Sequence, residues 1–181
     1  MRIVFNPSPI SEKIKDYPLE CVEYLVLNEV EIDQINDLFG KQASSVEASE
    51  SNEKESNIKI DIASVLKEII NEQHLDKELV HQINQLMIKL PNTKIILTLG
   101  SKGAIYIDQK QVVFQEAYKM QVVDTTGAGD TFTGYLMGSI IDGKEIKEAM
   151  EIAAKAAALS VTKKGAGSSI PVLKEVIKEW V

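Results

Sequence analysis

The chain has 181 residues, 44% of them hydrophobic, a formal net charge of −7 and one cysteine, Cys21. The length suits a single hydrophobic core. The acidity opposes binding to a phosphate backbone, because the only adjacent basic pair is Lys163-Lys164. A lone cysteine excludes a disulfide framework or a Cys-x-x-Cys zinc site. The amino terminus breaks at Asn6-Pro7, after an apolar run too short for a signal peptide or a membrane span. These features predict a soluble, cytoplasmic protein with neither nucleic-acid nor membrane partners.

In chain order, residues 2–5, 22–27 and 94–99 are short apolar runs rich in β-branched residues and read as buried parallel strands. Between the second and third, two helical faces repeat: Ile62, Val65, Leu66, Ile69 and Ile70, then Leu79, Ile83, Leu86, Met87 and Leu90. Segments 103–108 and 111–114 flank Gln109-Lys110 and predict a hairpin. Helices follow over roughly 130–141 and 144–163, with a third after Pro171. The alanines at 153, 154, 156, 157 and 158 permit close approach of the second of these to a neighbouring element. Strands alternating with helices define an α/β layered sheet. Residues 43–57 are rich in Ser, Glu and Asn and are expected to be a flexible insertion. His74 and His81 have no metal partner in view.

The segment that points to chemistry is Asp124-Thr125-Thr126-Gly127-Ala128-Gly129-Asp130. An apolar lead-in breaks at two glycines, and a helical pattern begins at once. Such a turn aims backbone N–H groups of Gly127, Ala128 and Gly129 into one concavity at the positive end of a helix, where an anion is stabilised without a cationic side chain. Asp130 at its mouth can accept a proton from a substrate hydroxyl. Phosphoryl transfer to an alcohol is the chemistry this pattern serves; an ordinary turn with an acidic first helical turn is the alternative that spacing alone leaves open. Phe132 stands where Gly-x-Gly-x-x-Gly requires glycine, and no Gly-x-x-x-x-Gly-Lys-Ser/Thr occurs, so neither common glycine motif applies.

Residues Asp124 to Gly134 resemble the carboxy-terminal signature of the ribokinase, or PfkB, family of sugar kinases. Asn6-Pro7-Ser8-Pro9, Asn28-Glu29-Val30-Glu31, Thr98-Leu99-Gly100-Ser101-Lys102-Gly103 and Val161-Thr162-Lys163-Lys164-Gly165-Ala166 resemble the same family in the same order. The resemblance implies a three-layer αβα fold with an incomplete, mostly parallel sheet, residues 1–181 forming the ATP-binding and catalytic portion of one kinase domain. It implies Asp130 as catalytic base, Gly127, Ala128 and Gly129 as anion hole, and ATP held by Asn28, residues Thr98, Leu99, Gly100, Ser101, Lys102 and Gly103, and Gly129 and Asp130. Glu31 would organise Mg2+ through water, although Asn28-x-x-Glu31 is equally a helix cap. A potassium ion would sit among Asp124, Thr126, Ser160, Lys163, Gly165 and Ser169; a glycine helix cap at Gly165 is the alternative. Ala154 replaces a larger polar residue that some ribokinases place near the adenine.

The family's amino-terminal strands, sugar-binding glycine segment and β-lid have no counterpart here. The expected partners are therefore ATP, a small-molecule sugar whose site is incomplete, and either the missing half or a second copy. The competing expectation is a truncated, non-catalytic nucleotide-binding or interaction module.

Overall fold

The computed structural model describes residues 2–43 and 76–178. Residues 44–57 of the expected insertion, the first helical face at 62–70 and His74 lie outside them. Two compact units result: Met1–Leu97 with Tyr106–Val112, and Thr98–Ile105 with Val113–Val181.

A single sheet runs in the order β1 (Val4–Phe5), β2 (Tyr24–Asn28), β3 (Lys94–Thr98), β4 (Gly103–Ile107), β5 (Val112–Glu116). Val4 pairs with Tyr24 and Phe5 with Leu25 in a parallel ladder. Lys94 N donates to Glu23 O at 2.8 Å, which sets the beginnings of β2 and β3 side by side. The long chain between those strands allows the crossover that a parallel pair needs. The connections into β4 and β5 are too short for one, so both turn back as antiparallel hairpins and the sheet is mixed. At the second turn Asp108 Oδ1 accepts from the backbone N–H groups of Lys110 and Gln111 at 2.7 and 2.9 Å. That is an Asx turn replacing the glycine that a two-residue hairpin would otherwise favour.

In the first unit, β2 and β3 are apolar on both faces, as strands covered on both sides must be. Leu25, Leu27, Ile95, Ile96 and Leu97 are at most 1% exposed, each burial being worth about 1.5–3 kcal/mol. Helix α1 (Glu29–Ala43) buries Ile32, Ile35 and Leu38. Helix α2 (Lys77–Lys89) packs against α1, burying Leu79, Val80, Ile83, Leu86 and Met87 on one helical stripe. Its start is capped by Asp76, whose carboxylate accepts from Glu78 N at 3.1 Å. The loop before β3 is tied by the buried Thr93 hydroxyl, which donates to Val22 O at 3.0 Å.

In the second unit, helix α3 (Ala128–Ile141) packs against helix α4 (Ile146–Ser160). Ala149, Ala153 and Ala156 are 0% exposed, so small side chains let α4 approach closely. The helix expected after Pro171 is a single turn, α5 (Leu173–Val176). Val172 N donates to Glu175 Oε2 at 3.0 Å. Among the described residues no helix is long and apolar enough to cross a membrane.

Candidate active site

Within the second unit, β3 ends at Thr98 and the chain makes a tight turn over Gly100–Lys102 before entering β4 at Gly103. Gly103 has φ +125°, and a Cβ placed there would lie 2.0 Å from Gln115 O. Only glycine lets the two hairpin strands come this close. Leu99 N donates to Gly103 O at 2.8 Å and closes the turn.

The second element is the start of α3. Gly127, at φ +77°, precedes the helix, and a Cβ on it would meet Ala166 Cα at 3.2 Å. Ala128 N donates to Thr125 O at 3.2 Å, and Thr131 N makes the first intrahelical bond, to Gly127 O at 2.8 Å. The N–H of Ala128 thus closes the turn itself, whereas those of Gly129 and Asp130 belong to the helix start, where no intrahelical acceptor is available. Gly129 has nothing within 4 Å of where a side chain would be, so a ligand can approach its main chain. Asp130 is exposed in the first turn.

These two elements open onto one cavity of about 500 Å³, within the range of small-molecule sites. Thr98, Gly100, Ser101 and Gly103 line it from the hairpin, and Thr125, Ala128 and Gly129 from the helix start. Ala154, Ala157, Ala158 and Val161 of α4 and its end form an apolar wall. The sequence reading named Ala154, Ala157 and Ala158 for close helix approach and linked only Ala154 to the nucleotide. The recurrence at intervals of three and four was the available signal.

A carboxylate joins two loops beside the helix start. Asp124 Oδ1 accepts from Thr126 Oγ1 at 2.7 Å and from Thr126 N at 3.0 Å, while Oδ2 accepts from Gly165 N at 2.9 Å. The Thr126 hydroxyl, then the Gly165 and Thr126 N–H groups, hold the Asp124 carboxyl down to about 2. Because the folded value is depressed, this tie is complete above about pH 4 and is lost as pH falls through about 2. An NMR titration without added monovalent cation should show the Asp124 carboxyl changing near pH 2, with Gly165 N–H exchange accelerating in step. A midpoint near about 4, the ordinary carboxylate value, would remove the tie.

Ser160 and Ser169 are each 1% exposed, and their hydroxyls donate to Ala157 O and Ala166 O at 2.8 Å. Both hydroxyl protons are therefore used within the loops, and each hydroxyl oxygen keeps its lone pairs. Lys163 places its ammonium 3.9 Å from Glu175 and its N–H 3.2 Å from Ser160 O. Among the described residues no group of three His, Cys, Asp or Glu side chains is arranged to hold a metal.

Asn28 and Glu31 belong to the first unit, at the start of α1. Asn28 Oδ1 accepts from Val30 N and Glu31 N at 2.9 Å, and Glu31 Oε2 accepts from Asn28 N at 2.8 Å. This reciprocal pair is a capping box built with asparagine. Glu31 is 7% exposed and already engaged through Oε2. His81 is exposed and its ring nitrogen lies 2.8 Å from Gln85 Nε2.

Known proteins resemble this chain in sequence and fold. A ribokinase of Schizosaccharomyces pombe is 48% identical over 83 residues, covering 45% of this chain and 26% of that protein. The solved ribokinase of Cryptococcus neoformans var. grubii in complex with ADP is 30% identical, with a TM-score of 0.68 over 97% of this chain and 51% of that one. The Arabidopsis thaliana ribokinase complexed with ribose and ATP is 26% identical, with a TM-score of 0.65 over 98% of this chain and 47% of that one. The chain thus spans about half the length of these solved relatives. The fold is the α/β ribokinase-like one, and the model for the pfkB family carbohydrate kinases matches residues 63–173, more than half of the chain. The chain belongs to the pfkB family of carbohydrate kinases.

Proposed function

We propose that this chain carries the nucleotide-binding and phosphoryl-transfer part of an ATP-dependent sugar kinase. The observation that carries the reading is the glycine turn at the start of α3, whose Gly129 lines the same cavity as Thr98, Gly100, Ser101 and Gly103. ADP in the Cryptococcus relative, and ATP with ribose in the Arabidopsis relative, supply the ligand classes.

In this reading the hairpin turn at Thr98 to Gly103 holds the donor nucleotide. Gly127, Ala128 and Gly129 shape the anion hole, with the N–H groups of Gly129 and Asp130 pointing to the transferring phosphoryl oxygens. The partial positive charge of the α3 terminus opposes the negative charge that develops there. Asp130 takes the proton from the sugar hydroxyl as its oxygen attacks the γ-phosphorus and ADP departs. Asn28 would contact the phosphates, and Glu31 would hold magnesium through water. Magnesium, when bound, neutralises phosphate charge. Asp124, Thr126, Ser160, Lys163, Gly165 and Ser169 would hold potassium, whose charge would steady the anion hole. The remainder of the sugar site comes from the complementary half of the fold or from association with another chain.

The test pairs calorimetric titration of ATP into the chain with phosphorylation of a sugar panel in magnesium and potassium, with and without the polypeptide encoded immediately upstream. ATP binding, and ADP release that depends on a sugar, are expected. A folded chain that binds no ATP overturns the nucleotide site; ATP binding with no sugar phosphorylated in either format overturns the kinase reading.

A further inference from the structure

The second unit carries a groove beside α3 that shares no lining residue with the cavity of the glycine turn. Asp130, Gly134 and Gly138 of α3 line it, with Ile170, Leu173 and Ile177 of the carboxy-terminal segment, around a volume of about 480 Å³. A Cβ on Gly134 or Gly138 would meet nothing within 4 Å, so another main chain can come up against α3 there. Ile170, Leu173 and Ile177 are 49%, 54% and 64% exposed although they line the groove. Exposed apolar surface gathered in one place marks an association site.

Thr131 supplies an independent sign that something enters. It lines the groove, is 3% exposed, and its Oγ1 has no hydrogen-bond partner among the described residues. Two positions on, Thr133 Oγ1 donates to Gly129 O at 2.9 Å, the local bond by which a helical threonine is commonly satisfied. A buried hydroxyl left unpaired is costly, and a main-chain group brought into the groove removes that cost.

The order of charges along the groove selects the occupant. Asp130 and Lys144 both line it, and Met137, midway between them, falls between the two glycines. The surface therefore runs negative, hollow, positive, and turned end for end it becomes its own complement. Hollows and protruding apolar side chains also share one surface, as an isologous two-fold contact requires. In that register Asp130 of one copy meets Lys144 of the other, and Thr131 lies across from the Gly143 turn. Asp142 shares the basic end but falls opposite Phe132 rather than Asp130. Lys144 is paired with Glu148 in its own chain, and an ammonium has three donors, enough for a second carboxylate.

We propose that this groove seats a second copy of the chain, two α3 helices packing antiparallel over Gly134 and Gly138 about a two-fold axis at the level of Met137. The paired form covers the exposed Asp130 of each copy. The inference stands independently of the nucleotide reading.

Sedimentation equilibrium on the full chain, and on variants checked for folding by circular dichroism, tests it. Wild type should dimerise reversibly with a dissociation constant of about 1–10 μM. Gly138→Arg, whose added Cβ meets nothing within 4 Å in its own chain, should weaken the dimer by about 100-fold or more. Asp130→Lys and Lys144→Asp should each weaken it by about tenfold, and the two together should restore it to within about threefold of wild type. Wild type that remains a monomer far above that constant overturns the proposal. So does a dimer that Gly138→Arg and the single charge reversals leave intact, or one that the double reversal fails to restore. A chain that is monomeric alone but takes up the polypeptide encoded upstream, with that uptake lost in Gly138→Arg, assigns the groove to that partner and overturns the second copy.

Discussion

Asp130→Asn is expected to lower sugar phosphorylation by about 10²-fold or more, the scale for losing a positioned general base, while ATP affinity stays within about threefold. Asn matches Asp in size and is equally acceptable in a first helical turn, so the α3 backbone and its N–H groups persist. Magnitudes separate the two roles open to this residue. If Asp130 only complements the helix terminus, its charge is worth about 0.3–1 kcal/mol, and turnover should change by a factor of about five at most. A hundredfold loss corresponds to about 2.7 kcal/mol in the barrier, beyond that range. The measurement is steady-state turnover with saturating ATP, beside a calorimetric affinity for each protein. Unchanged turnover removes Asp130 from the chemistry. Loss of nucleotide binding together with lowered thermal stability assigns it to the helix start.

The second large effect is on stability. Gly103→Ala is expected to destabilise the chain by about 3–5 kcal/mol, read as a fall in the urea midpoint. Two costs coincide there: a positive φ of 125°, and a Cβ only 2.0 Å from Gln115 O and 2.9 Å from Ala117 N. Both near atoms are main chain, so no side chain can swing aside, and the β4–β5 hairpin must separate. Gly100→Ala is the control. Its φ is +57°, but nothing lies within 4 Å of the added carbon, so only the left-handed conformation is penalised, at about 1 kcal/mol. Equal effects of the two substitutions would mean that the hairpin yields without cost and that close approach is not what requires glycine at position 103.

Helix α1 shows how far local pattern carries. Asn28 three residues before Glu31 states a capping box, and Ile32, Ile35 and Leu38 are the buried positions of the helix that follows. That helix is not among the elements expected from the sequence, although its signals are local. The capping geometry occupies Asn28 Oδ1 and Glu31 Oε2, so any contact with phosphate or magnesium must use what the cap leaves over. The segment after Pro171 erred in the other direction, since apolar spacing suggested a helix and only one turn formed among the described residues.

What the sequence by itself determined is the set of features that depend on neighbours a few residues apart. Apolar runs specified the strands, and Gln109-Lys110 marked the turn that Asp108 closes. Gly127-Ala128-Gly129-Asp130 marked a helix start with donors left over, because backbone freedom and unpaired N–H groups are local properties. The tertiary structure decided what those pieces surround. Thr98, Tyr118, Gly129 and Ala154 come from four separate elements, and only the packing of α3 and α4 beside the hairpin puts them on one cavity. It also decided that Asp124 spends both oxygens joining its own loop to Gly165, and that Tyr118 is gripped by Glu151 and Lys155. Such contacts join residues tens of positions apart, and the free energy that selects them comes from burial and hydrogen bonding between elements, which no short window of sequence contains.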